Sequence, residues 1–439
     1  MSEHRVLIVG GGAAGVLLAV ALLEAAAAAG ADPVAVTLVE RRAEVGPGLA
    51  YSTTSSQHLL NNTAGCMSGV SGDPDHFVRW LRARGHDAGG DDYVPRGWYG
   101  DYLTDLLAAA HVPDGSGLEV VHGEAIDLVE DAAGVTLALG DGRTLRADRA
   151  VLAVGNPPPH RRTTDLADVV VNDPWAPDAL DGIGPASRVL LVGTGLTMVD
   201  VALTLARDES APAMTAASRH GLLPRRHRRV PVRPHPVGLA AEVTLPDLLA
   251  RVRGAVARAE GDGADWRGVV DGMRPRLQGI WQALGEDDRR RFLRHVARRW
   301  EVVRHRMAPG VADRLDALRA AGTLTVTTIG ELAASGERPS FTHVVNCTGP
   351  QPVSAPGWSM LVDQLVHRGT ARPDVLGLGL DADPDGALLS ETGRASDRVF
   401  ALGYARRGTD WECTAVPEIR AHADALAALL SSLGARVAA

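Results

Sequence analysis

Three glycines near the amino terminus have the spacing of a phosphate-binding turn. Gly10, Gly12 and Gly15 form a G-x-G-x-x-G pattern directly after the aliphatic run Val6–Val9. The alanine- and leucine-rich stretch that follows predicts a helix, so the pattern lies in a strand–turn–helix unit. The first glycine permits the tight turn, and the second lets the backbone approach a pyrophosphate. The N–H groups at the helix terminus then attract that anion.

An acid follows at the end of the next predicted strand. The aliphatic run Val34–Val39 ends in Glu40, where a carboxylate accepts hydrogen bonds from ribose hydroxyls in dinucleotide folds. Glu40 lies further on than the usual ~20 residues after the motif, and the alanine run Ala25–Ala29 accounts for the extra length. A signal peptide or membrane anchor over 6–29 is the alternative, which the glycine run and Glu24 disfavour.

A second strand, glycine turn and helix begin at Arg188. Gly193 and Gly195 repeat the first two positions of the motif, while Met198 stands where a third Gly or Ala is usual. The next predicted strand, 213–217, ends in Ser218 and Arg219 with no acid. An arginine without an acid at this position suits the 2′-phosphate of NADPH.

Basic and helical stretches follow the second motif. The arginine run at 225, 226, 228 and 229 is open to two interpretations, a solvated face or further phosphate contacts. Residues 245–321 carry no strand pattern, which predicts a helical insertion into the second domain or a lid upon it. Its tryptophans form either a core between helices or one wall of a substrate pocket.

Bulk properties exclude several functional classes. The chain has 439 residues, which favours two domains, and a net charge of −8, which disfavours nucleic acid as a partner. The cysteines at 66, 347 and 413 are too dispersed for a metal site, a disulfide framework or a dithiol centre. The absence of lysine removes Schiff-base chemistry. We expect a cytoplasmic monomer or homodimer that acts on a small molecule and has no membrane partner.

Two polar, glycine-containing loops are predicted to converge on the reactive end of a flavin. They span residues 46–67 and 403–420, and a solvated surface loop is the alternative for the first. Arg406 and Arg407 in the second loop either stabilise a reduced flavin or form salt bridges. His58, His305 and Glu412 are candidate bases by location only, so the catalytic residues are unassigned.

The chain resembles the two-dinucleotide-binding flavoproteins, and within them the bacterial FAD/NAD(P)-binding proteins. Stretches that carry the resemblance run nearly end to end: Gly48-Leu-Ala-Tyr-Ser, His58-Leu-Leu-Asn, Asp75-His-Phe-Val-Arg-Trp, Val94-Pro-Arg, Gly155-Asn-Pro-Pro-Pro, Gly193-Thr-Gly-Leu-Thr-Met-Val-Asp, Ser218-Arg-His-Gly-Leu-Leu-Pro and Trp411-Glu-Cys-Thr-Ala-Val-Pro-Glu-Ile-Arg. The resemblance implies FAD at the first motif and NAD(P)H at the second. Two features depart from the group. The usual C-terminal Gly-Asp of the group, whose acid binds the ribityl chain, is here Gly403-Tyr404, and Asp410 is a candidate substitute for that acid. The F-x-G-x-x-x-H-x-x-x-W fingerprint, which Baeyer–Villiger and flavin-containing monooxygenases carry between their two sites, is absent.

The expected fold class is therefore α/β. An FAD-binding Rossmann-like domain, residues 1–185 and 330–439, receives an inserted NAD(P)H-binding Rossmann-like domain, residues 186–330, with the helical insertion 245–321. The residues predicted to contact the cofactors FAD and NADPH are Gly10, Gly12, Ala13, Ala14, Gly15, Glu40, Arg41, Tyr51, His58, Asn61, Met67, Gly155, Gly193, Gly195, Leu196, Thr197, Ser218, Arg219, Gly349, Gly403, Trp411 and Thr414.

The predicted activity is an FAD-dependent oxidoreduction in which NADPH reduces the flavin. A monooxygenase acting through a hydroperoxyflavin, by N-hydroxylation or Baeyer–Villiger-type oxygen insertion, is the leading hypothesis. An oxygen-independent reductase or dehydrogenase is the first alternative, and a flavin-binding protein without turnover is the second.

Overall fold

A computed structural model describes residues 4–28, 31–207, 210–238, 244–334 and 340–437. Its contacts divide the chain into two compact units. The first unit comprises Met1–Thr54, Thr63–Pro157 and Pro352–Ala439, and the second comprises Ser55–Asn62 and Pro158–Gln351.

Strands and helices alternate along most of the chain. The strands are β1 His4–Val9, β2 Val34–Glu40, β3 Gly117–His122, β4 Ala125–Asp131, β5 Gly134–Leu139, β6 Thr144–Ala147, β7 Arg149–Leu152, β8 Val169–Val171, β9 Arg188–Val192, β10 Ala213–Ser218, β11 Leu324–Thr328, β12 His343–Asn346, β13 Ala387–Leu389 and β14 Ala395–Ala401. The helices are α1 Ala13–Ala26, α2 His76–Ala83, α3 Arg96–Ala108, α4 Leu196–Leu205, α5 Leu245–Gly261, α6 Trp266–Met273, α7 Leu277–Ala283, α8 Glu286–His295, α9 Ala297–Arg304, α10 Pro309–Ala320, α11 Ile329–Ala334, α12 Met360–His367 and α13 Val416–Val437.

The sheet of the first unit has the strand order β13-β14-β7-β1-β2-β3. Neighbouring strands from β14 to β3 are parallel, and β13 pairs antiparallel with β14 at the edge. The chain moves from β1 to β2 and β3 on one side and later adds β7 on the other. The carboxyl ends of β1 and β7 therefore form a topological switch point, where open α/β sheets bind ligands.

Burial explains the composition of the first unit. Helix α1 is apolar on almost every face and buries nine consecutive residues, Gly15–Leu23, which agrees with its position among α3, α13 and the sheet. The antiparallel strands β4, β5 and β6 form a separate sheet whose apolar side joins the same core as α12.

The sheet of the second unit repeats this arrangement. Its order is β11-β10-β9-β12-β8, and all its neighbours are parallel. The chain moves from β9 to β10 and β11 on one side, while β12 lies on the other side of β9. A second switch point therefore lies between the carboxyl ends of β9 and β12.

Helices α5 to α10 form the predicted helical insertion, and its span of 245–321 agrees closely with Leu245–Ala320. Its tryptophan Trp281 is 3% exposed and packs edge-on against Phe292, which is the core-packing alternative for that residue. The insertion is tied to the rest of the second unit by backbone hydrogen bonds: Arg225 donates to Val302 at 2.8 Å, and Met307 donates to Arg225 at 2.8 Å.

Strands β8 and β12 lie elsewhere than the sequence suggests. The sequence pattern assigns both to the first domain, whereas β12 pairs with β9 and β8 in the sheet of the second unit. The segment 55–62 also belongs to the second unit. These placements depend on pairing between distant segments, which a local apolar run does not encode.

Within the described ranges, the helices are all too short or too polar to cross a lipid bilayer.

His227 gives the second unit a pH-dependent stability. Its Nε2 donates to the Asn61 carbonyl at 3.0 Å. Burial lowers the pKa of His227 to about 3, with added repulsion from Arg306 and other nearby arginines. Because the unfolded chain takes up this proton near pH 6.5, the free energy of unfolding falls as the pH drops from 6.5 towards 3, by at most about 1.4 kcal/mol per pH unit.

We predict that His227→Gln removes this contribution, since the amide keeps a donor for Asn61 and does not titrate. Urea unfolding between pH 7 and pH 5 should show the wild type losing stability relative to the variant. The exposed His220→Gln is the control and should run parallel to the wild type. If the free energy of unfolding of His227→Gln changed with pH in parallel with that of the wild type, the prediction would be contradicted.

Candidate cofactor sites

The first glycine turn needs glycine at position 10, because a backbone carbonyl occupies the space that a side chain there would fill. Gly10 has φ +112°, and a Cβ on it would overlap the carbonyl oxygen of Ala153 at the end of β7. A Cβ on Gly15 would overlap the carbonyl of Gly10. These contacts hold the turn against the end of β7 and pack α1 directly against the turn.

The start of α1 is arranged to receive an anion. Gly12 is its N-cap residue, no side chain caps the helix, and the first turn has no acid, within the part of the chain that the structure describes. The first N–H groups, those of Ala13 and Ala14 included, therefore have no intrahelical acceptor. N–H groups of this kind, together with the helix dipole, are able to bind a phosphate.

Glu40 is held at the side of this turn. Its Oε2 accepts from the Gly11 N–H at 2.7 Å and its Oε1 from the Arg42 N–H at 2.8 Å. Glu40 is 8% exposed as a residue and lies at the end of β2. Each oxygen keeps a further lone pair, so the group can still accept hydrogen bonds from ribose hydroxyls.

Two glycines that the sequence analysis did not assign help to shape this turn. Gly11 makes room for Glu40, whose Cβ would lie 2.9 Å from a Cβ on that glycine. Gly48 has φ +53°, and a Cβ on it would lie 3.1 Å from Cα of Gly12. The runs Gly10–Gly12 and Gly46-Pro47-Gly48 were the available signals, since closely spaced glycines mark backbone that approaches other backbone.

Parts of the two predicted loops do meet at the turn. Gly46 N–H donates to the Gly11 carbonyl at 2.7 Å, and a Cβ on Gly403 would lie 3.5 Å from Cβ of Ala14. Further along, Arg420 donates to the Ser68 carbonyl at 2.6 Å. Within the first unit, the loops that follow β2 and β14 therefore both border the start of α1.

The other predicted residues of the first unit surround this region at various depths. Tyr51 packs edge-on against Tyr99, with ring centroids 4.7 Å apart, and Met67 is 3% exposed. Trp411 carries the guanidinium of Arg407 over its ring at 4.6 Å. Three more residues, Arg41, Gly155 and Thr414, are exposed.

His58, Asn61 and Gly349 belong to the second unit, although the sequence pattern placed them in the flavin-binding loops. His58 is 3% exposed, and its Nε2 lies 2.9 Å from Oγ1 of Thr204. Thr204 donates its own proton to the Asp200 carbonyl, so the His58 ring must donate here. The His58 ring therefore donates a structural hydrogen bond to α4, and this geometry disfavours His58 as a base. Asn61 accepts from His227 through its backbone.

The second glycine turn reproduces the first. Gly193 has φ +115°, and a Cβ on it would lie 2.5 Å from the Cys347 carbonyl oxygen at the end of β12. Gly195 is the N-cap residue of α4; in the described structure neither a side-chain cap nor an acid occupies the first turn. The N–H groups of Leu196 and Thr197 lie in that turn. Met198, at the position of the third glycine, is fully buried in the core.

Ser218 and Arg219 differ in what they can offer a phosphate. The Ser218 hydroxyl accepts from Gly221 N–H at 3.0 Å and lies 2.8 Å from the Thr194 hydroxyl. Thr194 donates its proton to the Leu222 carbonyl, so Ser218 must donate to Thr194. Its proton is thereby used within the turn. Arg219 is exposed and has no ionic or hydrogen-bond partner among the described residues.

The neighbouring arginine run divides by its partners. Arg226 pairs with Asp313 at 2.9 Å and with Asp316 at 2.7 Å, and Arg228 pairs with Asp265 at 2.6 Å. Arg229 also pairs with Asp313. These three arginines fit the solvated-face interpretation.

The second loop contains a buried ion pair. Arg406 lies 2.8 Å from Asp410, and their side chains are 3% and 1% exposed. Arg406 also donates to the Pro384 carbonyl at 2.8 Å. This pairing commits Asp410 to Arg406, so the pair fits the salt-bridge alternative, and it disfavours Asp410 as the missing ribityl-binding acid.

Comparison with known proteins supports this description. Residues 7–157 match a family model described as FAD-NAD(P)-binding. No curated protein matches the chain. Among solved structures, the chain is similar to the ornithine N-hydroxylase of Kutzneria sp. 744, with 15% identity, a TM-score of 0.62, and 99% of this chain and 100% of that chain covered.

Two further solved structures are similar over nearly the whole chain. One is the cadaverine monooxygenase of desferrioxamine biosynthesis from Erwinia amylovora, with 11% identity, a TM-score of 0.63, and 98% and 95% covered. The other is the ornithine hydroxylase of Pseudomonas aeruginosa, with 15% identity, a TM-score of 0.60, and 98% and 100% covered. At these identities the similarity establishes the fold. The predicted α/β class, with two Rossmann-like sheets and a helical insertion, is confirmed.

We predict that Asp410→Asn lowers the free energy of unfolding by about 3 kcal/mol, because it leaves the buried Arg406 guanidinium without its counter-ion. Chemical unfolding of the whole chain measures the change. The control is Asp397→Asn, which removes the charge of an exposed pair with Arg394 at 3.7 Å. This substitution should lower the free energy of unfolding by at most ~0.5 kcal/mol. Equal losses in the two variants would show that the buried pair has no special role.

Proposed function

We propose that this chain is an FAD-dependent monooxygenase of the cytoplasm that takes reducing equivalents from NADPH and hydroxylates a small amine at nitrogen. The observation that carries the proposal is the pair of glycine turns. Each lies at the switch point of its own sheet, and each precedes a helix for which the described residues supply no capping side chain and no acid in the first turn. Two such turns in one chain suit an enzyme that binds two dinucleotides.

Charge assigns the two cofactors. The first turn has Glu40 at the end of β2, which accepts from ribose hydroxyls and suits the unphosphorylated ribose of FAD. The family match to residues 7–157 supports FAD in this unit. The second turn has Arg219 just after β10, unpaired among the described residues, and this arginine suits the 2′-phosphate of NADPH. Ser218 shapes that turn and leaves the phosphate to Arg219.

Bound FAD supplies hydride acceptance from NADPH and electron delivery to oxygen. The residues of this chain provide binding: Gly10, Gly12 and the start of α1 hold the pyrophosphate, and Glu40 orients the adenosine half. The loops beginning at Gly46 and Gly403 line the remaining sides of the turn.

Two observations support oxygen as the acceptor. The whole-length fold similarity is to enzymes named as ornithine and cadaverine hydroxylating monooxygenases. In addition, no cysteine pairs with another, and burial raises the pKa of Cys413 to about 12 and raises that of Cys347 as well. Buried thiols of this kind do not serve a dithiol-reducing flavoenzyme. An oxygen-independent reductase is the second candidate, since it would use the same two sites.

We predict that the purified protein is yellow and that NADPH bleaches it without oxygen. Gly12→Ala and Gly195→Ala then test the two cofactor sites one at a time. Both substitutions should leave the fold intact, because each glycine has a φ that alanine adopts and no backbone atom lies closer than 3.5 Å to the added Cβ. Gly12→Ala should lose flavin. Gly195→Ala should keep flavin and lose rapid reduction by NADPH. Anaerobic spectrophotometry measures both.

A flavin that stays oxidised under excess NADPH and NADH would refute the proposal as a whole. Oxygen use is tested separately by following NADPH, oxygen and peroxide together. With L-ornithine or cadaverine as probe amines, less than one peroxide per NADPH, with a hydroxylated product, supports the monooxygenase. NADPH oxidation that continues with another acceptor and consumes no oxygen supports the reductase.

We predict that Arg219→Ala lowers the preference for NADPH over NADH by about 10- to 150-fold, corresponding to the ~1.5–3 kcal/mol of a charge-assisted phosphate contact. The ratio of kcat/KM for flavin reduction by the two nucleotides measures it. Arg229→Ala, an exposed arginine already paired with Asp313, is the control and should leave the ratio unchanged. An unchanged ratio in Arg219→Ala would overturn its assignment.

A further inference from the structure

One arginine of the helical insertion reaches the second glycine turn. Arg298 lies in the first turn of α9, a hundred residues beyond the motif in sequence. A Cβ placed on Gly195 would lie 3.6 Å from Nη2 of Arg298 and 3.8 Å from its Nη1. The guanidinium therefore stands beside the glycine at which the backbone is expected to approach a dinucleotide.

The two edges of this guanidinium are used differently. Nη1 donates to Oε2 of Glu301 at 3.0 Å, one turn further along α9. Nη2, the atom closer to Gly195, has no hydrogen-bond partner in the described ranges of the chain. The side chain is 36% exposed, so it is anchored by Glu301 and still accessible.

The start of α4 and the Arg298 guanidinium are both positive, and Glu301 compensates only the Nη1 edge of the guanidinium. The start of α4 carries the partial positive charge of its helix and several N–H groups without acceptors. A cation close to that terminus is repelled by it, since the favourable position for a cation is a helix C-terminus. An anion between the two would be stabilised by both and would remove the repulsion.

We infer that Arg298 binds the pyrophosphate of the nicotinamide dinucleotide and that Glu301 positions it. The inference rests on the proposed NADPH site and adds to it a ligand from outside the strand–turn–helix unit. A guanidinium presents two donors that match phosphate oxygens, and with Nη1 on Glu301 it retains Nη2 and Nε for that purpose. The helix N–H groups bind the same phosphates from the opposite direction.

Its location separates Arg298 from Arg219 in function. Arg298 borders Gly195, where the pyrophosphate common to NADPH and NADH approaches, whereas Arg219 follows β10, where the 2′-phosphate is read. Arg298 therefore strengthens binding of both nucleotides equally, and Arg219 distinguishes between them.

The insertion is fixed firmly enough to place this side chain. Backbone bonds join Arg225 to Val302 and to Met307 at 2.8 Å each, so the carboxyl end of α9 is tied to the segment that follows β10. Helix α9 also packs on α6 and α8. The insertion thus supplies a cofactor ligand in addition to its core-forming aromatic residues.

Arg298→Ala tests the inference by calorimetric titration of the flavin-loaded protein with NADP⁺ and NAD⁺. We expect both dissociation constants to rise by about 10- to 150-fold with their ratio unchanged, while Arg219→Ala changes the ratio. Arg298→Lys should retain part of the affinity, because it keeps the charge and loses the paired donors. Arg299→Ala is the matched control, since Arg299 is the next residue and donates to the His295 carbonyl at 3.1 Å.

The outcomes distinguish this inference from the function on which it rests. Wild-type protein that binds neither nucleotide refutes the proposed function. Wild-type binding together with an Arg298→Ala variant that behaves like Arg299→Ala overturns only the role of Arg298. A changed NADP⁺/NAD⁺ ratio in Arg298→Ala would also overturn it, since the residue would then read the 2′-phosphate. Unaltered flavin content and thermal unfolding establish that the variants are folded.

Discussion

A carbonyl oxygen packed against a glycine at each sheet's switch point is the contact on which both candidate sites depend. Neighbouring parallel strands lie about 4.8 Å apart, so where the chain leaves β1 beside β7 there is no space for a side chain between them. The Ala153 carbonyl occupies the position of a Cβ on Gly10, and the Cys347 carbonyl does so for Gly193. Both glycines take φ near +115°, which other residues avoid. The turn is then followed by a helix whose first N–H groups have no acceptor among the described residues.

From this shared backbone the two sites diverge through charge. In the first, Gly11 leaves room for the Glu40 side chain, whose carboxylate the Gly11 and Arg42 N–H groups hold in place. An acid in that position excludes a further phosphate by repulsion. In the second, the corresponding strand ends in a serine whose hydroxyl is used within the turn and an arginine without a partner in the described residues. In the proposed assignment, the backbone of each turn binds a dinucleotide, and Glu40 and Arg219 determine which dinucleotide it is.

The sequence predicts what is local and misses what is assembled from distant segments. Both strand–turn–helix units were predictable because their glycines, apolar runs and helix pattern occur within thirty residues of one another. The positions of His58 and Asn61 were not predictable from the sequence, because a polar loop pattern does not reveal that α4 binds His58 and that His227 binds Asn61. Strand β12 carries a Gly-Pro ending like that of β7, and only its register with β9 places it in the second sheet. Tertiary pairing decides such cases, and one sequence contains no direct record of it.

Arginine content is likewise a poor guide to anion binding until partners are known. The densest basic run, at 225–229, looks most like a phosphate site in sequence, yet Arg226, Arg228 and Arg229 each lie within 3 Å of a carboxylate. Their charge is already compensated, and a phosphate would have to compete with an acid in place. Arg406 is more strongly committed still, because its counter-ion is buried with it. Among the described residues, Arg219 has no such partner, and Arg298 pairs with Glu301 through Nη1 alone, which leaves its Nη2 beside the start of α4. Donors that have no protein acceptor, rather than the number of basic residues, therefore indicate which arginines are able to bind a phosphate.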